Sequence, residues 1–175
     1  MKKWLMLAVA LLMLTACNNK EESNIESSVA SNKETTVGYE MLGDSIEEAD
    51  DVPKEAEKEI LAAFDEYIAS FNSKDIDRYI NTLSKNPQGF DVNEDIEVAK
   101  NVFAQYDINR TASDVTIVKY NEEEAQVYAN LDVKMTEIKT NAELNSSGRQ
   151  VTVFVKEDNN WKVTSVYYIG NESQQ

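Results

Sequence analysis

Cys17 is the only cysteine in a chain of 175 residues, and the chain contains no histidine. Those two counts bound most of the chemistry. A thiol nucleophile needs a neighbouring base, commonly an imidazole. A disulfide needs a second cysteine. Cys17 has neither, which leaves its sulfur for attachment. Carboxylates are the next candidates. Asp91, Asn93 and Asp95 match positions 1, 3 and 5 of a calcium loop. However, Ile96 stands where Gly must turn that loop, and Val102 where a bidentate Glu must close it. These acids fit a helix N-terminus better. The acids from Asp44 to Asp51 fit solvated linker charge, so no metal and no cofactor is expected. Of the eight tyrosines, Tyr67, Tyr79 and Tyr106 lie on apolar helical faces. They are either core residues with hydroxyls at the edge or hydroxyls that point into a cavity and orient a ligand. No acid–base constellation emerges, and no catalytic residue is assigned.

Cys17 takes its meaning from what precedes it. Lys2 and Lys3 are followed by 11 apolar residues, Trp4 to Leu14. Basic residues, an apolar run and then small residues form the pattern of a secretory signal. The run is too short for a permanent span, since a bilayer core of about 30 Å needs about 20 helical residues. The sequence Leu14-Thr15-Ala16-Cys17 resembles the lipobox of bacterial lipoproteins. That resemblance implies diacylglyceryl transfer to the Cys17 sulfur, cleavage between Ala16 and Cys17, and retention at the membrane by lipid. The lysine-led signal and the acidic tract after it resemble those of Gram-positive lipoproteins, on the extracytoplasmic face of the cell membrane.

The formal charge is −15, and loss of the two signal lysines leaves 15 basic and 32 acidic residues, a net −17. Nucleic acid is excluded as a partner, because phosphate binding rests on clustered Lys and Arg. Anionic lipid would repel the folded part, so lipid on Cys17 must supply the membrane affinity.

The organisation follows from the periodicities. Residues 1–16 are the signal. Residues 17–52 are the lipidated cysteine and an acidic tether. Their scattered apolar residues are too few to offset ordering entropy, so the tether is expected to be disordered, with a span of roughly 30–35 Å. A folded domain is expected over 53–170 and a short disordered tail over 171–175. Pro53 suits a first helical position. Ile60, Phe64, Tyr67, Ile68 and Phe71 recur at steps of three and four, one apolar helix face. Ser73 caps a shorter helix carrying Ile76, Tyr79, Ile80 and Leu83. Asn86-Pro87-Gln88-Gly89 breaks the chain. A third helix from near Asn93 carries Ile96, Ala99, Phe103 and Tyr106. After Arg110 the period becomes two. Four strands follow, with a polar loop from about Lys139 to Ser147 and a turn at Asp158-Asn159-Asn160. Helices first and strands last define an α+β domain: three N-terminal helices packed on a curved antiparallel sheet of about four strands.

The stretches EILAAFDEYIASFNSKDIDRYINTLS, DVTIVKYNEEEAQVYANLDVKM and DNNWKVTSVYYI resemble the opening helices, the central hairpin and the closing hairpin of the nuclear transport factor 2-like (cystatin-like, SnoaL-like) superfamily. The resemblance implies a cone-shaped fold with a cavity, here lined by Tyr67, Phe71, Phe103, Tyr106 and Leu131. Members range from isomerases and dehydratases to binding and dimerising domains. Residues 85–92 leave little room for the small hairpin many members carry at the mouth. An isomerase pattern would use an Asp base and a Tyr donor. Asp65, Asp132, Tyr67 and Tyr106 supply those residue types, but none sits in a transferable motif. The expectation is therefore a non-catalytic domain binding a small apolar ligand or an envelope protein, with a small-molecule isomerase or dehydratase as the alternative. Tyr128, Phe154, Val166 and Tyr168 are expected to share the outer sheet face. Large apolar patches mark interfaces, so a homodimer through that face is expected.

Overall fold

The computed structural model describes residues 46–171. The signal, Cys17, most of the tether and the last four residues lie outside them.

Pro53, extended at φ −61° and ψ 135°, leads into α1 (Lys54–Asn72). The face read from its sequence is the buried one: Ile60 and Phe64 are at most 1 % exposed, and Tyr67, Ile68 and Phe71 are buried beside them. Ser73 does not cap the second helix. It closes the first, donating its hydroxyl to the Ser70 carbonyl. Lys74 then takes a positive φ of 55°, and Asp75 caps α2 (Ile76–Thr82) by accepting the Arg78 backbone N–H. Asp and Ser are both good caps, so only the turn at Lys74 decides between them. Asp91 caps α3 (Val92–Gln105), accepting the N–H groups of Asn93 and Glu94. The acids at 91, 94 and 95 thus sit at a helix N-terminus, where the dipole favours them.

Four strands follow as a simple antiparallel meander: β1 (Tyr106–Tyr120), β2 (Glu124–Glu137), β3 (Glu143–Glu157) and β4 (Asn160–Gly170), in that spatial order. Two boundaries differ from expectation. Tyr106 ends the third helix and opens β1, so it does not belong to the helical face. β3 begins at Glu143 instead of after Gly148, because its polar start pairs residue by residue with β2. Gly148 therefore sits within the strand. A Cβ there would stand 2.5 Å from the Ile169 carbonyl and 2.6 Å from the Tyr168 ring, so the neighbouring strand requires glycine at this point. The β3–β4 turn has Asp158 and Asn159 at φ 49° and 64°, the twist a two-residue hairpin prefers.

The helices cover one face of the sheet. Ala125, Val127, Ala129 and Leu131 of β2 point toward them. Phe154 pairs with Ala125 and is fully buried in the same core. Val166 packs on that core, and Tyr168 lies on the same face beyond the helices, 43 % exposed. Only Tyr128 occupies the outer face, with Val151 and Val153. The four residues expected to share the outer face are thus split between faces, and the basis for a homodimer through them goes with that.

Both sheet edges are partly covered, which limits edge-to-edge pairing. After α2 the chain runs along β4: Leu83 bridges Val163, and the N–H groups of Ser84, Gln88 and Gly89 donate to the Val163 and Thr164 carbonyls. At the other edge, the Ala49 N–H donates to the Ile117 carbonyl at 2.8 Å. Ile46 packs on the outer cluster, and Ala49 and Val52 pack on the main core. The segment from residue 46 is therefore part of the folded unit, although the tether was expected to run to residue 52. Its apolar residues recur at every third position, a spacing easily lost among four acids.

Candidate cone cavity

The sheet and the three helices leave a cavity of about 390 Å³. α1 supplies Tyr67 and Phe71, α2 supplies Tyr79, α3 supplies Asp95, Val98, Ala99 and Val102, and β1 supplies Ile108 and Arg110. Val133 and Met135 of β2 and Val163 and Val166 of β4 complete the apolar wall. Of the residues expected to line it, Tyr67 and Phe71 do. Phe103 stands behind Phe71, edge-on at 4.8 Å. Tyr106 is half-buried at the start of β1, and Leu131 is 3 % exposed in the core.

Three polar residues converge here from three elements. The buried Tyr79 hydroxyl donates to Asp95 Oδ2 at 2.8 Å. Burial, chiefly, pushes the Asp95 pKa above the ordinary carboxylate range, while the Tyr79 hydrogen bond and the Arg110 charge pull the other way. Burial likewise raises the Tyr79 phenol, aided by the nearby Tyr67 and Asp95. Arg110 lies with its guanidinium 3.7 Å above the Phe71 ring, a cation–π arrangement. Its backbone is fixed by a pair of bonds with Asn72, whose side chain accepts the Arg110 N–H at 2.8 Å and donates to the Arg110 carbonyl at 2.9 Å. The last residue of α1 thereby sets where β1 presents its cation. Arg110 Nη1 is buried and has no hydrogen-bond partner.

Sequence reasoning placed Tyr79 among several tyrosines, read Asp95 only as a helix-start acid, and passed over Arg110. Tyr79 and Asp95 are 16 residues apart, and no local pattern links them. Asp65 and Asp132, the Asp residues considered as bases, do not line this cavity. Among the described residues no group of three or more Asp, Glu, Cys or His could hold a metal ion, and no helix is long and apolar enough to cross a membrane.

The raised Asp95 pKa has a stability consequence. An acid whose folded-state pKa lies above its unfolded value destabilises the fold while charged, and the penalty fades as pH falls through the raised value. Asp95→Asn is therefore expected to be more stable than the parent at pH 7. The gain should be about 1 kcal/mol or less, because the group is only partly buried and solvent screens its charge. It should vanish near pH 3–4, where the unfolded Asp also protonates. Urea unfolding of both chains at the two pH values measures it.

Comparison with known proteins agrees with this architecture. Residues 1–18 match the prokaryotic membrane lipoprotein lipid attachment site. Among solved structures, a nuclear transport factor 2-like superfamily protein from Salmonella enterica superposes with a TM-score of 0.60 at 13 % identity, covering 67 % of this chain and 92 % of that one. A protein with a cystatin-like fold from Nostoc punctiforme gives 0.56 at 16 % identity, covering 70 % and 96 %. A provisionally assigned dehydratase of the same superfamily from Streptomyces avermitilis gives 0.60 at 11 % identity, covering 70 % and 100 %. No curated protein matches. The chain is thus a membrane lipoprotein, lipid-anchored through Cys17, whose described domain has the nuclear transport factor 2-like fold. Residues 62–169 match the model of the anti-sigma-I factor RsgI9 C-terminal domain, and the chain belongs to that family.

Proposed function

We propose that this lipoprotein displays its domain on the extracytoplasmic face of a Gram-positive cell membrane and binds a small, largely apolar ligand in the cone cavity without converting it. The observation that carries this reading is the Tyr79–Asp95 hydrogen bond. An isomerase of the Asp–Tyr kind needs the tyrosine proton aimed at the substrate and the carboxylate free to take another. Here one engages the other, which suits a fixed wall better than an acid–base pair. The cavity falls at the small end of the volumes that hold ligands. The acidic tract after Cys17 supports the envelope location, and a family named for a domain of an anti-sigma factor suits binding better than turnover.

Displacement of the fluorophore 1-N-phenylnaphthylamine from the mature Cys17→Ser chain tests the reading. The dye is expected to bind and to be displaced by small apolar molecules. Val98→Trp should block it, because Val98 lines the cavity yet is 60 % exposed and can enlarge without disturbing the core. Failure of the dye to bind, or equal binding in Val98→Trp, would remove the proposal. The raised Asp95 pKa favours the enzyme as a second reading, since catalytic carboxylates are often poised in this way. Exchange of solvent deuterium into a bound ketone, abolished in Asp95→Asn, would establish that reading instead.

A further inference from the structure

We infer that the ligand carries a carboxylate, held by the guanidinium of Arg110, with its apolar body against Val133, Met135 and Val166. The inference rests on the reading of the cavity as a ligand site and adds the chemistry of the group it recognises. Arg110 lines the cavity with a buried, unpartnered Nη1. Buried donors are nearly always satisfied, and one left open calls for an explanation. The residue as a whole is half-buried, stacks on Phe71 and lies close enough to Asp95 for its charge to act there, so the open position is the Nη1 donor.

The side chain is also held ready. Phe71 supports the plane of the guanidinium, and Asn72 fixes the backbone beneath it. Little ordering then remains to be done on binding. The internal carboxylate that could have paired with it, Asp95, is engaged by Tyr79 and forms no ion pair with Arg110. Arginine's planar fork matches a carboxylate through two parallel N–H···O bonds. The choice of a monoanion follows from charge. Arg110 is the one cation of the lining, and its one acid, Asp95, is engaged by Tyr79, so a phosphate dianion would be left with more uncompensated charge than a carboxylate. The remaining walls are apolar, so the rest of the ligand is hydrocarbon or aromatic.

Calorimetric titration of the mature Cys17→Ser chain with octanoate and with 1-octanol tests the inference. The two probes share a chain and differ at the head. Octanoate is expected to bind roughly tenfold or more tightly than 1-octanol, the advantage of a charged hydrogen-bonded pair. In Arg110→Gln the two should bind alike. In Arg110→Lys, which keeps the charge and loses the fork, most of the preference should go. Equal binding of both probes to the parent, or a preference that survives Arg110→Gln, overturns the carboxylate inference while the cavity stands as a binding site. Binding of neither overturns both. The comparison of probes on the parent needs no variant, so a folding defect in Arg110→Gln would not rescue the idea.

Discussion

Phe154→Ala is expected to destabilise the domain by about 3–5 kcal/mol. Phe154 is fully buried, and it pairs across the sheet with Ala125, which is also fully buried. The small residue opposite makes room for the ring, and both lie in the core between the sheet and the helices. Removing it leaves a cavity between two rigid layers, a helix and a paired sheet, that cannot collapse to fill it. A domain of this size has about 5–15 kcal/mol of stability in all, so the variant should lose much of that margin. Urea unfolding of the parent and the variant measures the loss. An outer-face Phe154 would predict a change within about 0.5 kcal/mol, so the same experiment separates the observed placement from the one the alternation suggests. A change below about 1 kcal/mol would mean that Phe154 does not sit in this core.

That misplacement shows where the sequence stops being informative. β3 reads Val151-Thr152-Val153-Phe154-Val155, and the valines suggest the inward face. In the fold they point outward, Val151 and Val153 with Tyr128, while Gln150 and Thr152 point inward and satisfy each other, Gln150 Nε2 donating to Thr152 Oγ1 at 2.9 Å. A face can hold buried polar groups when they are paired, and the paired face looks exposed in a hydrophobic count. β4 has a second difficulty. Val153 pairs with Ser165 and Phe154 with Val163, so Thr164 is the extra residue of a bulge. One extra residue reverses the parity of everything beyond it, which carries Val166 and Tyr168 to the inner face.

The helices fared better because their signal is redundant. Five apolar residues of α1 repeat the same stripe, and all five are buried. β2 alternates without a bulge against β3 over its whole length, and its inward set, Ala125 to Leu131, stands as the period predicts. The cavity is different in kind. Its polar residues lie on α2, α3 and β1, and only tertiary packing brings them together. Arg110 illustrates the point. Its role follows from the Asn72 clamp and the Phe71 ring, neither of which leaves a mark on the residues beside Arg110 in sequence.

Cys17→Ala should abolish membrane attachment. The match over residues 1–18 places a lipid attachment site at this cysteine, and the net −17 of the mature chain opposes any electrostatic hold on anionic lipid. Lipid must then provide the affinity, at about 0.8 kcal/mol per buried methylene, and two acyl chains suffice where one is marginal. The parent should therefore stay with membranes through a high-salt wash, which strips proteins held by charge, and should leave with detergent. The variant has no sulfur to acylate. Labelled palmitate should not be incorporated, and the chain should be found either as an uncleaved precursor or free of the membrane. A cleaved Cys17→Ala chain that still sediments with salt-washed membranes would show that a protein contact does the holding. The −17 charge then acts in the opposite sense to an anchor, since anionic lipid repels the chain that the acyl groups tie to it.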